Sequence, residues 1–502
     1  MIEHFVSNNR ALKITLLELL CKQPLNLSNF SNEHNIQKYT IKRYLNELQI
    51  ELEDYGINFA FFFPDSNTCV LNDGNNNSSV LTQELVENVK YNYLQSYSPA
   101  FLLCELLCAG ERPTISRLEQ HLRLSKSQIY KVITEFNESI NSRTISISFN
   151  KNSILDFFGD ELDVRIFIYN FIVTCTPKKN WFFKNTSKHQ IYSDIMRFEE
   201  LKNVSKYTLE KLCTFFGILQ SRLLLKKYLS PILPRFQSTF ARFSYLEFST
   251  LNFYFSDKRL LDKNIQNTEY LYLNFFLRVF IPDAISEKNV LDIGRYLESS
   301  KNSDHLFLSS FLNEWELTFG ITLSETKRPI LLYNSAILAT FAFFIPNNIS
   351  QFWANNNNFF QEDIININLF EKVVYFVTNF INDYSLPSDK KIYLLKKGVK
   401  YFSSLYYLET FMFLNPKLNI YMYFTNDYTS KILLKSRIEQ IYNTDIIRFV
   451  SQAEDSDVIL TDSNEDYPHH CKVILVDSSL TTKKLTVVIE TIHKQLLKQI
   501  FD

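Results

Sequence analysis

The strongest constraint on the fold is a plan that the chain uses twice. Leu25–Phe30 followed by Ile36–Leu48, and Thr114–Leu118 followed by Leu124–Ile133, each read as a short helix, a tight turn around a buried apolar residue, and a second helix. Each second helix carries small, polar and basic residues on its leading turn and apolar residues at helical spacing behind. That split lets one face pack on a partner helix while the other meets phosphates and base edges. Strand-like residues follow each pair. Ile57–Val70 alternates loosely around Pro64-Asp65-Ser66-Asn67, and Thr144–Phe149 alternates strictly before a turn at Lys151-Asn152. The pattern predicts two winged helix-turn-helix units in tandem, over residues 1–75 and 80–158.

The candidate DNA contacts lie on those leading turns. In the first unit they are Gln37, Lys38, Tyr39, Thr40, Lys42 and Arg43. In the second they are Ser125, Lys126, Ser127, Gln128, Tyr130 and Lys131, with Lys151 at the wing tip. Ser and Gln suit base edges and phosphates, and Lys suits phosphates. A solvated helix face with a basic stripe is the alternative reading. The formal net charge of −1 gives no global basic signature, so any nucleic-acid affinity has to come from these local patches. Ile36–Leu45 holds Lys38, Lys42 and Arg43 with no acid. Arg117–Lys131 holds Arg117, Arg123, Lys126 and Lys131 against Glu119 alone.

A length of 502 residues implies several domains. The chain has 8 glycines, far below the usual share of about 7%. It contains no G-x-G-x-x-G or Walker pattern. Long Leu/Phe/Tyr periodicity with scarce Gly predicts a mainly helical protein. Two apolar helical arrays are expected at 160–285 and 286–412, separated near Ile281-Pro282-Asp283. After Pro416 the pattern changes. Leu418–Phe424, Ile446–Val450, Asp457–Leu460 and Cys471–Val476 read as strands, and 429–442 and 481–499 as helices. That alternation predicts a small parallel α/β domain over 417–502. Its closing helix bears Leu485, Val488, Ile489, Ile492, Leu496 and Leu497, enough to cover the sheet and pair two subunits.

Seven scattered cysteines form no disulfide framework and fit a reducing cytoplasm. Met1-Ile2-Glu3-His4 is not the start of a signal peptide. The apolar run Ile330–Ile345 is too short for a bilayer and contains Asn334, Ser335 and Thr340, so no membrane partner is expected. Cys104 and Cys108 read as buried apolar residues. His469-His470-Cys471 lacks further ligands nearby in sequence, so no metal is expected. Glu161 and Arg165, four residues apart, read as a helical ion pair worth a few tenths of a kcal/mol if exposed. No catalytic triad follows from spacing, and no cofactor is implied; the chain reads as a non-enzyme.

Several local matches resemble the RofA-like and Mga/AtxA group of transcription regulators from Gram-positive bacteria. They are Met1-Ile2-Glu3 with its Leu-rich first helix, Ser125, Ser127 and Tyr130 of the second reading helix, Gly159–Arg165, and Tyr270-Leu271-Tyr272-Leu273. Their order along the chain carries the resemblance. It implies two helix-turn-helix domains, two all-α phosphotransferase-system (PTS) regulation domains and a C-terminal enzyme-IIB-like domain. It also implies double-stranded promoter DNA as partner, a homodimer, and control of virulence or surface-protein genes. In relatives, histidines in the regulation domains accept phosphate. Here those positions fall at Lys227 and near Phe343. His189 and His305 are the histidines left in the helical region, and so the candidate phosphorylation sites if PTS phosphocarriers act on this chain. The loop Thr425-Asn426-Asp427 lacks the IIB cysteine, which implies an interaction module without phosphotransfer. The rival readings are a PTS-linked RNA-binding antiterminator, a phosphotransferase component, and a non-catalytic PTS interaction protein.

Overall fold

A computed structural model describes residues 5–21, 24–54, 60–72, 79–140, 145–176, 181–232, 239–246, 262–344, 367–414, 418–424, 428–442, 446–463, 467–476 and 482–501. The chain divides into two compact units. One comprises residues 1–293 with 344–356, and the other residues 294–343 with 357–502. The protein is mainly helical, with a small C-terminal sheet.

The first unit opens with α1 (Asn8–Leu20), β1 (Leu25–Asn26), α2 (Leu27–Glu33) and α3 (Lys38–Asp54), then β2 (Ala60–Phe62) and β3 (Thr68–Asn72). The three strands form an antiparallel sheet in the order β1-β3-β2. Leu16, Leu20, Leu25, Leu27, Phe30, Ile41, Leu45 and Cys69 make its core. The hairpin turn at 64–67 follows from one side chain: Asp65 Oδ1 accepts from the N–H groups of Asn67 and Thr68 at 2.7 and 2.8 Å. The segment 73–78 lies outside the described residues.

The plan then repeats. After α4 (Ser79–Tyr97) come α5 (Pro99–Cys108), α6 (Ile115–Leu122), α7 (Lys126–Ile140), β4 (Ile145–Phe149) and β5 (Leu155–Gly159). Ser98 caps α5 through its hydroxyl, with Pro99 in the first turn where no N–H is needed. Gly110, at φ +88°, turns the chain out of α5 as only Gly does without strain. Thr114 bridges Ile154 antiparallel, in the place that β1 holds in the first repeat. In the hairpin, Asn150 Oδ1 accepts from the N–H groups of Asn152 and Ile154. Its position agrees with the turn expected at Lys151-Asn152.

From Asp160 the chain is helical: α8 (Glu161–Cys175), α9 (Lys188–Ile195), α10 (Lys206–Leu224) and α11 (Lys263–Phe280). Asp160 caps α8, and Glu161 and Asp163 add negative charge at its N-terminal turn. A short 3-10 turn at Pro282–Ala284 occupies the expected break, and α12 (Glu287–Ser299) follows.

In the second unit, α13 (Ser303–Phe319), α14 (Lys327–Phe344), α15 (Ile367–Asp383), α16 (Ser388–Tyr393) and α17 (Val399–Leu414) pack around aromatic rings. Phe311 contacts Phe376, Phe380, Phe402 and Tyr406. The buried polar tips find partners, Trp315 Nε1 on Thr410 and Tyr406 on Ser335. The C-terminal part follows the expected alternation closely: β6 (Leu418–Tyr423), α18 (Tyr428–Ile441), β7 (Ile447–Val450), β8 (Val458–Thr461), β9 (Lys472–Leu475) and α19 (Thr482–Phe501). All four strands are parallel, in the order β7-β6-β8-β9. Val488, Ile492 and Leu496 of α19 join the sheet core and Leu485 packs on it. The apolar stripe of this helix is therefore mostly spent on the sheet. No helix among the described residues is long and apolar enough to cross a membrane.

Candidate nucleic-acid interface

The two helix pairs share their turn geometry. Asn35 after α2 and Arg123 after α6 both adopt φ +54°, the left-handed conformation that ends a helix within one residue. Ile36 and Leu124 follow, both half-buried rather than fully buried. The leading turns of α3 and α7 therefore start from equivalent positions. Behind them, Ile41, Leu45 and Leu48 of α3, and Ile129, Ile133 and Phe136 of α7, are buried.

On α3, Gln37, Lys38, Tyr39 and Arg43 are exposed, while Thr40 and Lys42 are half-buried. Tyr39 is 75% exposed, an extreme for so large a ring. Lys38 Nζ donates to Asn67 Oδ1 at 2.9 Å. Asn67 Nδ2 in turn donates to Asn26 Oδ1, which caps α2. The wing turn, the α2 cap and the start of α3 thus form one polar node. The sequence places Asn67 in the turn but gives neither it nor Asn26 a part in this node, although Asn in a turn is a signal for such a role. Lys42 Nζ lies 5.5 Å over the Phe63 ring, and Arg43 pairs with Glu47 at 3.6 Å. Lys13 of α1 is buried and bonds Glu47 and Glu51 at 2.8 and 2.9 Å, fixing α1 against the back of α3.

On α7, Ser125, Lys126, Ser127, Gln128, Tyr130 and Lys131 are all exposed, as is Lys151 at the wing tip. Two of them also build the helix start. Ser125 N donates to Gln128 Oε1 at 2.8 Å, and the Ser125 hydroxyl faces Gln128 N at 3.4 Å, a reciprocal cap. The Tyr130 ring stacks edge-on against Phe149 of β4 at 5.3 Å, so it ties α7 to the second hairpin. Lys131 pairs with Glu135 at 3.7 Å across the exposed helix surface. Asn137 binds the strand directly, donating to Ile147 O and accepting from Ile147 N, both at 2.9 Å.

Residues 81–172 match the family model for the Mga helix-turn-helix domain. That match supports a regulator of the Mga/RofA-like family. No curated protein matches the chain. The Mga match spans nearly all of α4, α5 to α7, the second hairpin and most of α8, so it includes the second set of candidate contacts. It points to a DNA-binding transcription regulator and to a regulator rather than an enzyme.

The α8 segment within the Mga match differs in setting from its sequence reading. Glu161 and Arg165 are not an exposed pair. Arg165 Nε donates to Glu161 at 2.9 Å, and its other nitrogens reach Glu269 on α11 and the carbonyl of Lys227. Arg222 holds Glu161 from the other side at 2.8 and 2.7 Å. Burial alone would raise the Glu161 pKa, but the Arg222 hydrogen bond and the Arg165 and Arg222 charges outweigh it and lower it. Spacing found the local half of this network; its partners 61 and 104 residues away left no local signal.

Lys227, which the sequence reading expects at a phosphate-acceptor position, bonds Asp156 of β5 at 2.9 Å. The side chain of Phe343 lies outside the described residues, as does the loop Thr425-Asn426-Asp427. His189 is exposed on α9. His305 is buried on α13, its Nδ1 2.7 Å from the Ser300 hydroxyl and its ring 5.9 Å from Tyr296. Cys104, Cys108 and Cys175 are buried, and burial raises each thiol pKa, that of Cys175 to about 12. His470 binds the Glu454 carbonyl at 3.2 Å, and the Cys471 thiol donates to Ser456 O at 2.9 Å. Among the described residues no group of His, Cys, Asp and Glu gathers as metal ligands would.

Proposed function

We propose that the chain is a homodimeric transcription regulator that reads promoter DNA through two winged helix-turn-helix heads. Lys38, Tyr39 and Arg43 of α3 and Ser127, Lys126, Tyr130 and Lys131 of α7 contact the duplex, with Lys151 on an adjacent phosphate. The observation that carries this reading is the repeated turn, Asn35 and Arg123 at the same left-handed φ, with exposed polar and basic leading turns behind it. The Mga match over the second repeat supports it. Its targets are virulence or surface-protein genes. The C-terminal α/β part pairs subunits and acts as an interaction module without phosphotransfer.

Signal input follows from the same setting. The tie of Lys227 to Asp156 leaves no phosphate acceptor at that position, so PTS phosphocarriers transfer little phosphate to this chain. If one site is used, exposed His189 is better placed than buried His305.

The test is a gel shift with duplex promoter DNA beside single-stranded RNA, repeated with Lys126→Ala, Lys131→Ala. Two lost phosphate contacts should reduce the log–log salt slope by about 2. Unchanged affinity and slope, or preference for the RNA, would refute the placement.

A further inference from the structure

The joint between the second head and the helices that follow it is made of charges. Asp156 is the second residue of β5, opposite Ser148 of β4, and its side chain is buried. Its carboxylate takes Lys227 Nζ at 2.9 Å and Arg112 Nη2 at 3.4 Å. Arg112 belongs to the loop between α5 and α6, and it also donates to the Leu225 carbonyl at 3.3 Å. Lys227 stands just beyond the end of α10. There Lys226, at φ +56°, ends the helix, and the Lys227 N–H returns to Arg222 O at 3.0 Å. The backbone around Lys227 is fixed in turn, with Arg165 donating to the Lys227 carbonyl and Leu229 N donating to Glu269. The Lys227 side chain closes this chain of bonds on Asp156. It is one-third exposed, at the wall of an open polar cleft of about 440 Å³ lined also by Asp160, Tyr228 and Ser230.

From this geometry we propose that the Asp156–Lys227 pair clamps the second wing to the end of α10 and so sets how the wing meets DNA. Asp156 and Lys227 are positioning residues. The inference rests on the DNA-reading role of the second head. Among the described residues β4 and β5 form a two-stranded sheet, with the Thr114–Ile154 bridge just before β5 and Leu155 N donating to Pro113 O at 2.9 Å. A two-stranded hairpin is marginal by itself, so its orientation depends on what grips it. Tyr130 against Phe149 and Asn137 on Ile147 grip β4 from α7, and Lys227 with Arg112 grips β5 at Asp156. A shift at the end of α10 would therefore reach the wing through a side chain rather than through the backbone.

The experiment uses the full chain with Lys227→Met, which keeps the apolar stem and removes the charge, and Lys227→Arg as the conservative control. Amide hydrogen exchange is followed in 145–149 and 155–159 beside the global unfolding midpoint. Affinity is measured for a duplex selected by the unmodified chain from a random library. Lys227→Met should speed exchange in β5 and weaken DNA binding, each by about fivefold, since an ion pair with one partly exposed partner is worth up to about that factor. The midpoint should hold, and Lys227→Arg should restore both readouts. Unchanged exchange overturns the clamp. Faster exchange with unchanged DNA affinity, in a protein whose binding does fall in Lys126→Ala, Lys131→Ala, overturns the positioning role. Binding insensitive to both sets of variants, with faster exchange, instead overturns the DNA-reading placement and leaves the clamp. If Lys227→Met does not fold, the unmodified chain is taken from low to high salt. Screening should then speed exchange in β5 more than in the buried core of α8, and equal behaviour overturns the clamp.

Discussion

Arg165 and Glu269 lie 104 residues apart and meet through two hydrogen bonds, at 2.6 and 2.9 Å, where the Glu269 side chain is fully buried. Burial alone would lower the Arg165 pKa; the Glu269 and Glu161 carboxylates more than reverse that and raise it. Two charges kept from water in this way stabilise only as a set, because each alone would be stranded.

Removing one member is therefore expected to cost more than removing both. Glu269→Gln or Arg165→Met should destabilise the chain by about 3–5 kcal/mol. Arg165→Met with Glu269→Leu should cost clearly less than the sum. Urea unfolding of the four corners of the cycle measures the coupling, and additive losses would contradict a coupled pair.

Acid should weaken the same region. The Glu161 pKa is lower folded than unfolded. Its contribution is thus complete above the unfolded value of about 4.3 and disappears as pH falls through the folded value. Thermal melts from pH 7 to pH 3 should show this loss below about pH 4.5, and Glu161→Gln should flatten that part of the profile. An unaltered profile would remove Glu161 from the account.

Gln128 serves the fold as well as the proposed surface. Gln128→Ala should lower stability by about 1 kcal/mol through loss of the cap on Ser125 N. Lys126→Ala, fully on the surface, should leave stability within about 0.5 kcal/mol. Comparing their melting temperatures separates the cap from the contact role.

Gly294 on α12 lies so close to α14 that an added Cβ would run into the Pro329 carbonyl. Backbone cannot move aside as a flexible side-chain tip does, so Gly294→Ala should destabilise by about 1–3 kcal/mol despite the better helix propensity of Ala. A stabilised variant would show that the two helices separate freely.

Deleting residues 417–502 should lower the dimer population and, with it, occupancy of DNA by two linked heads. Sedimentation of the truncated chain tests this directly, and an unchanged dimer would place the subunit contact elsewhere. Because Leu485, Val488, Ile492 and Leu496 serve the sheet, the contact has to draw on other apolar groups, such as exposed Ile432 and Leu433 of α18.

The sequence alone determined the elements that local rules govern. Period-3.6 apolar residues, the turn Pro64-Asp65-Ser66-Asn67 and the alternation after residue 416 placed helices, turns and parallel strands to within a few residues, because each signal lies within a turn or two of its effect. The exposed leading turns of α3 and α7 were legible for the same reason: apolar spacing on one face leaves the other to solvent. Only the tertiary structure decided what Glu161, Arg165, Arg222 and Glu269 do together, how Lys227 reaches Asp156, and that Lys38 shares a polar node with Asn67 and Asn26. Those contacts join residues tens to more than a hundred positions apart. Chain folding brings such charges together out of water, and no spacing rule along the sequence encodes a meeting that depends on how whole helices pack.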